Sequence, residues 1–159
     1  MKSHELFHTL HQLSRQLTNK LNEALKPLGL YSAQWAVIFV LKKRGSLTQK
    51  ELCDYLFVEA PPMTRNIQRL VKQGYVKQVP GKDKREKHVQ LTDEALKEYP
   101  RWENVVNEVN QGLLQHFPKA SQKNFLNCKI AGYSKFYNRG ALHEQIKTMD
   151  KRFYQCFLK

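Results

Sequence analysis

Leu6, Leu10, Leu13, Leu17, Leu21, Ala24 and Leu28 recur at spacings of 4, 3, 4, 4, 3 and 4. That spacing puts every one of them on a single face of an α-helix for about six turns. Pro27 and Gly29 then stop the helix. A leucine stripe of this length at one end of a chain has to be covered, either by the rest of the chain or by a second copy of it. The sequence therefore calls for an α-helical protein with a large helical interface, and an isolated small domain does not satisfy it.

The segment that follows is dense in start and stop signals. Ser32 is placed to cap a helix that carries Trp35, Ala36, Ile38, Phe39 and Leu41 and ends near Gly45. Thr48 and Glu51 have the spacing of a capping box, with Leu47 and Leu52 set as a hydrophobic staple, and this short helix runs to about Leu56. The next helix opens at Pro61-Pro62, where a missing N–H costs nothing, and continues to Gln73 before Gly74. From Tyr75 to Val79 the residues are β-prone, Pro80-Gly81 marks a turn, and His88 to Leu91 forms a second short strand. Between the strands lies the charged run Lys82-Asp83-Lys84-Arg85-Glu86-Lys87. The expectation is a two-stranded hairpin with a basic tip.

Thr92 is placed to cap a long helix with a stripe of Leu96, Tyr99, Trp102, Val106, Val109 and Leu113, ending near His116. Pro100 inside it predicts a kink or a break. Ser121 starts a further helix with Phe125, Leu126, Ile130, Tyr133 and Tyr137, and a last one carries Leu142, Ile146, Met149, Phe153 and Phe157.

Charge narrows the class of partner. The 159 residues hold 27 Lys+Arg against 14 Asp+Glu, a net +13, which draws polyanions. The helix after Pro61-Pro62 shows how that charge is used. At about 100° per residue, Met63, Ile67, Leu70 and Val71 share one face and Arg65, Gln68, Arg69 and Lys72 the other, with Thr64 at its edge. Three cations and an amide on one face suit phosphates and base edges in a DNA major groove. The order helix, short helix, helix, hairpin is that of a winged helix-turn-helix.

Other chemistry finds little support. The sequence has no phosphate loop, no Gly-rich dinucleotide turn, no metalloprotease motif and no marked Ser/His/Asp or Cys/His set, so no enzyme is expected. His4, His8 and His11 lie on one helical face opposite the leucine stripe, but no acid-and-cysteine set accompanies them. A polar helix face is the expectation there, with no metal and no cofactor. Cys53, Cys128 and Cys156 make no Cys-x-x-Cys pair and read as reduced thiols, with Cys53 a buried structural one. The longest apolar run, Trp35 to Leu41, is far short of the roughly 20 residues that span a bilayer. The opening Met-Lys-Ser-His-Glu has no apolar signal segment. A cytoplasmic location with no membrane partner is expected.

Leu47-Thr-Gln-Lys-Glu-Leu52, Pro62-Met-Thr-Arg65, Leu70-Val-Lys-Gln-Gly-Tyr-Val76, and above all Asp83-Lys-Arg85 followed by Leu91-Thr92, resemble the MarR family of winged-helix transcriptional regulators. The likeness covers about residues 1–137, and the final helix looks like an addition. It implies a mainly α fold with a small β-hairpin wing. The regions are then a dimerisation helix over residues 1–30, a winged helix-turn-helix over 31–92, and a C-terminal helical dimerisation region over 93–159. The function implied is a homodimer that binds a pseudo-palindromic operator in double-stranded DNA, acting as a repressor released by a small-molecule effector. The alternative is a winged-helix module that binds a protein partner or RNA.

The resemblance also assigns roles. The DNA-contacting set is Thr64, Arg65, Gln68, Arg69, Lys72, Lys82, Asp83, Lys84, Arg85 and Lys87. Arg85 is expected to enter the minor groove with Asp83 orienting its guanidinium. His8, His11, Trp35 and Phe39 are placed to border an effector pocket, although Trp35 and Phe39 read first as core residues. Three departures stand out. Ala60 replaces a frequent Ser or Thr, Pro100 interrupts a helix usually continuous, and the first helix lacks the cysteine of the peroxide-sensing branch.

Overall fold

The computed structural model describes residues 3–81, 86–115 and 117–124. The chain divides into two compact units, Met1–Gly112 and Leu113–Lys159. The first unit contains every labelled element below up to Gly112, and the second begins with the end of the last labelled helix and includes the helical residues 119–124. The expected hairpin tip at Lys82–Arg85, the helices beyond residue 124, and Cys128 and Cys156 lie outside the described residues.

The first helix, α1, spans Ser3–Leu25 and passes into a 3-10 turn, Lys26–Leu28. Gly29 closes the corner in the left-handed region at φ 72°, which glycine adopts without a Cβ penalty. The second helix, α2, spans Ser32–Arg44. Ser32 is its first residue and not its cap. Its amide donates instead to the side-chain oxygen of Asn22 on α1, at 2.8 Å, and the amide of Tyr31 donates to Gln34 Oε1 at 3.0 Å. Two amides at the helix start are thus met by longer side chains, one from α1 and one from the first turn of α2 itself.

A short strand, β1 (Leu47–Thr48), leads into α3 (Gln49–Leu56) and then α4 (Ala60–Lys72). Strands β2 (Val76–Pro80) and β3 (Lys87–Leu91) form the hairpin. The sheet has three strands where two were expected, in the order β1-β3-β2, because Leu47 pairs with Val89 and Thr48 with His88. Two residues of β1 carry no strand signal of their own, and β3 supplies the ladder they join. Val76 pairs with Leu91 and Pro80 with Lys87, so the hairpin is one residue longer at its tip end than β-propensity alone suggests.

The last described long helix, α5, spans Asp93–Leu114 and runs unbroken through Pro100. Ala95, Tyr99, Trp102 and Val106 are buried along it on both sides of the proline. Burial of Tyr99 and Trp102 outweighs the single hydrogen bond that proline removes. Residues 119–124 are helical, starting directly after Pro118, two residues before the expected Ser121.

One core gathers Leu25, Leu30, Trp35, Val37, Ile38, Leu41, Leu52, Met63, Ile67, Leu70, Val76, Val89, Tyr99 and Trp102. The leucine stripe of α1 reaches it only at its end, where the half-buried Leu21 and Leu28 pack against it. Leu25 is the buried residue of α1, and it stands outside the stripe. Leu6 and Leu13 are exposed, as is Phe7 at 60%. Among the described residues, the stripe is therefore covered at its Leu21–Leu28 end and open at Leu6 and Leu13.

Candidate nucleic-acid interface

The interface begins with how α3 is fixed. Thr48 N–H donates to Glu51 Oε2 at 2.7 Å, the Thr48 hydroxyl donates to the same oxygen at 2.9 Å, and Glu51 N–H donates back to the hydroxyl at 3.2 Å. The expected capping box is therefore complete. The backbone N–H of Thr48 is the main reason that the Glu51 carboxyl titrates below its ordinary value, and burial opposes it. The Thr48 hydroxyl and the positive groups of His88 and Arg44 lower it further. Since Thr48 also pairs with His88 in β3, one residue ties the start of α3 to the hairpin.

Phe57 ends α3 in the left-handed region, at φ 53°. It is the only non-glycine residue at positive φ among the described residues. The turn that follows delivers the chain to α4, with Glu59 before it and Pro61 and Pro62 in its first turn. Met63, Ile67 and Leu70 are buried at 1% or less, as the periodicity requires. Val71 departs from expectation and is 44% exposed. It lies roughly 80° around the helix from Met63 and in the last turn, at the margin of the packed face.

Arg65, Gln68, Arg69 and Lys72 all point to solvent. None of the three cations has an ion-pair partner among the described residues. Three positive charges crowd one helix face without acids to neutralise them, and their mutual repulsion falls when an anion arrives. Thr64 is different. Its hydroxyl donates to the carbonyl of Ala60 at 2.8 Å and accepts from Gln49 Nε2 at 2.8 Å. The sequence placed Thr64 at the edge of a contact face, whereas its hydroxyl joins α3 to α4. Gln49 had no signal in the sequence, since a polar residue in the first turn of a helix is unremarkable.

The hairpin follows α4, and β2 packs against that helix. Gly81 N–H donates to the carbonyl of Glu86 at 2.8 Å and closes the ladder below the tip. A Cβ on Gly81 would meet the His88 ring at 2.8 Å, so any other residue there displaces the ring. Lys87 is exposed at the end of β3. Lys82, Asp83, Lys84 and Arg85 fall outside the described residues.

The remaining sequence candidates separate. Trp35 is buried, 5.3 Å from the Tyr99 ring and 5.9 Å from Phe39. His8 and His11 are exposed on α1, and the His4 and His8 rings stack at 6.4 Å. Among the described residues no three His, Cys, Asp or Glu side chains converge to hold a metal. A shallow cleft at the α1–α2 corner is lined by Asn19, Asn22, Glu23, Lys26 and Tyr31, none of which the sequence singled out. Cys53 is half-buried, and burial pushes its thiol pKa up, with Asp54 adding to the effect. A thiol so placed is a poor nucleophile. Among the described residues, no single helix is long and apolar enough to cross a membrane.

Comparison with known proteins bears on this arrangement. The family model described as the MarR family matches residues 28–86. The uncharacterized HTH-type transcriptional regulator YwoH of Bacillus subtilis is 43% identical over 120 residues, covering 76% of this chain and 88% of that protein. A MarR transcriptional regulator from Methanosarcina mazei superposes with a TM-score of 0.74 at 23% identity, over 85% of this chain and 91% of that one. A mutant MarR from Escherichia coli, solved in complex with operator DNA, gives a TM-score of 0.71 at 27% identity over 79% and 93%.

Proposed function

The chain belongs to the MarR family of transcriptional regulators, and from that premise we propose that it binds double-stranded DNA as a homodimer through α4 and the hairpin. A regulator of this kind is not an enzyme. The observation that carries the DNA reading is α4 itself, which is buried along Met63, Ile67 and Leu70 and cationic along Arg65, Arg69 and Lys72. A MarR relative solved with operator DNA supports it.

In this reading Arg65 and Gln68 face base edges and Arg69 and Lys72 face phosphates. Thr64 acts indirectly, by holding the start of α4 against Gln49. Arg85 enters the minor groove, Asp83 orients it, and Lys82, Lys84 and Lys87 hold flanking phosphates. The α1 stripe, open at Leu6 and Leu13, supplies the homodimer contact, with residues 93–159 completing it around a winged helix-turn-helix of residues 31–92. Two chains related by a two-fold axis present two recognition helices to a pseudo-palindromic operator.

We further infer repression relieved by a small-molecule effector that changes the spacing of the two helices. The residues proposed for its contact are the exposed His8 and His11 on α1 and, on α2, the half-buried Phe39 beside the buried Trp35. The test is selection of bound duplexes from a random pool. A palindromic motif is expected to be enriched, with half-sites about one helical turn apart. Recovery of unrelated sequences at all salt concentrations sinks the reading.

A further inference from the structure

Beyond the exposed face of α4, the residues that end the helix form a junction. Gln73, directly after α4, donates from Nε2 to the carbonyl of Gly29 at 2.7 Å. Its Oε1 accepts from Gln34 Nε2 at 2.9 Å. Gln34 is 2% exposed and, through its own Oε1, holds the amide of Tyr31. These residues are 39 and 44 positions apart in the chain, so the bonds tie the end of α4 to the α1–α2 corner. The next residue is held from the other side, where the Thr92 hydroxyl donates to the carbonyl of Gly74 at 2.6 Å. Tyr75 then meets the Trp102 ring of α5 edge-on at 4.7 Å. Three successive residues, Gln73, Gly74 and Tyr75, are thereby fastened to α1–α2 on one side and to α5 on the other.

We propose that Gln34 and Gln73 are positioning residues that hold α4 in register with α1, so that the direction of the long helix sets the direction in which the cationic face points. Gln34 is the one buried polar side chain among the described residues, and both of its polar ends are spent on this corner. Carrying a polar side chain in an apolar core costs stability unless it is bonded in one geometry. Such a group therefore selects a single arrangement of the helices it joins. Apolar packing under α4 tolerates small slides, whereas two hydrogen bonds from one side chain do not. The functional consequence rests on the proposal that α4 contacts DNA. If it does, the pair fixes how far apart two such helices stand in a dimer.

The experiment uses Gln34→Leu, Gln73→Leu and Gln73→Glu in the full chain. Gln73→Glu keeps the acceptor for Gln34 and loses the donor to Gly29, and because Gln73 is exposed it leaves the core intact. Spin labels at Ser14→Cys and Gln68→Cys, in a background of Cys53→Ser, Cys128→Ser and Cys156→Ser, read the α1–α4 distance without DNA. Labelled chain is diluted into unlabelled chain so that each signal comes from one molecule. The parent is expected to give a narrow distribution and each variant a broadened or displaced one. On duplexes with varied half-site separation, the variants lose about tenfold on the parent's preferred spacing and little on the others. Folded variants with the parent's distance distribution overturn the proposal. So does an equal loss at every spacing, which is what mere destabilisation produces. If the parent binds no duplex, the DNA reading fails and the distance measurement still decides this one.

Discussion

Gln49 donates a 2.8 Å hydrogen bond from its side-chain amide to the hydroxyl of Thr64, fifteen residues away. The same hydroxyl donates to the carbonyl of Ala60. The two helices of the helix-turn-helix are thus joined by a side-chain bridge as well as by apolar packing. Thr64→Val keeps the shape and removes both bonds. It is expected to cost about 1 kcal/mol in urea unfolding and to leave the preferred DNA sequence unchanged. A shifted base preference with unchanged stability shows that the hydroxyl faces DNA instead.

Arg65 and Lys72 are expected to behave differently although both are exposed cations. Arg65→Ala costs roughly 1–3 kcal/mol on the true operator and much less on random DNA, if the guanidinium reads a base edge. Lys72→Ala weakens both alike and lowers the salt slope by about one unit. Titration of each variant on both duplexes over a salt series separates them. Equal losses for Arg65→Ala reduce it to a phosphate contact.

For the hairpin, Arg85→Ala is expected to weaken operator binding strongly, and Arg85→Lys to restore charge without restoring affinity. A guanidinium sheds water more readily than an ammonium when it enters a narrow groove. Lys84→Ala lowers chiefly the salt dependence. Melting temperatures should match the parent, since an exposed tip adds little to a core. Parent-like binding by Arg85→Lys at every salt concentration makes the hairpin a diffuse positive charge only.

The exposed Leu6 and Leu13 of α1 predict a dimer at micromolar concentration by sedimentation. Leu13 is 44% exposed within the single chain. Leu13→Glu costs a lone chain almost nothing but buries a charge in a two-chain interface, so it shifts the species toward monomer. A parent that sediments as monomer removes the half-site geometry with it.

Glu51 makes the start of α3 sensitive to acid. Its folded pKa lies below the unfolded value, chiefly because the Thr48 amide favours the carboxylate. Its contribution to stability is therefore complete above the unfolded value and lost as pH falls through the folded one. Solvent screening at this exposed site keeps the effect small. Glu51→Gln should flatten the acid limb of the stability profile and leave its neutral-to-basic limb the same shape. An unchanged acid limb shows that the capping box carries no titration.

Several features of the fold and the candidate site were written locally. The Thr48–Glu51 capping box, the buried Met63, Ile67 and Leu70, the opposing Arg65, Gln68, Arg69 and Lys72, and the hairpin around Pro80-Gly81 each follow from residues within a few positions of one another. Helix caps, helical periodicity and turn chemistry act over one or two turns, so one stretch of chain suffices to state them. Tertiary structure decided which of those surfaces found a partner. Asn22 took the amide of Ser32, Gln73 reached Gly29, Gln49 claimed Thr64, and β1 joined β3. Each depends on residues ten or more positions apart that meet only once the core has closed. Burial on α5 carried the helix through Pro100, against its local preference. Periodicity identified the α1 stripe as a face in need of cover. Which of its leucines pack was decided by the Gly29 corner, where α1 meets the core with only its final turns, so that Leu21 and Leu28 lie against the core while Leu6 and Leu13 stay exposed.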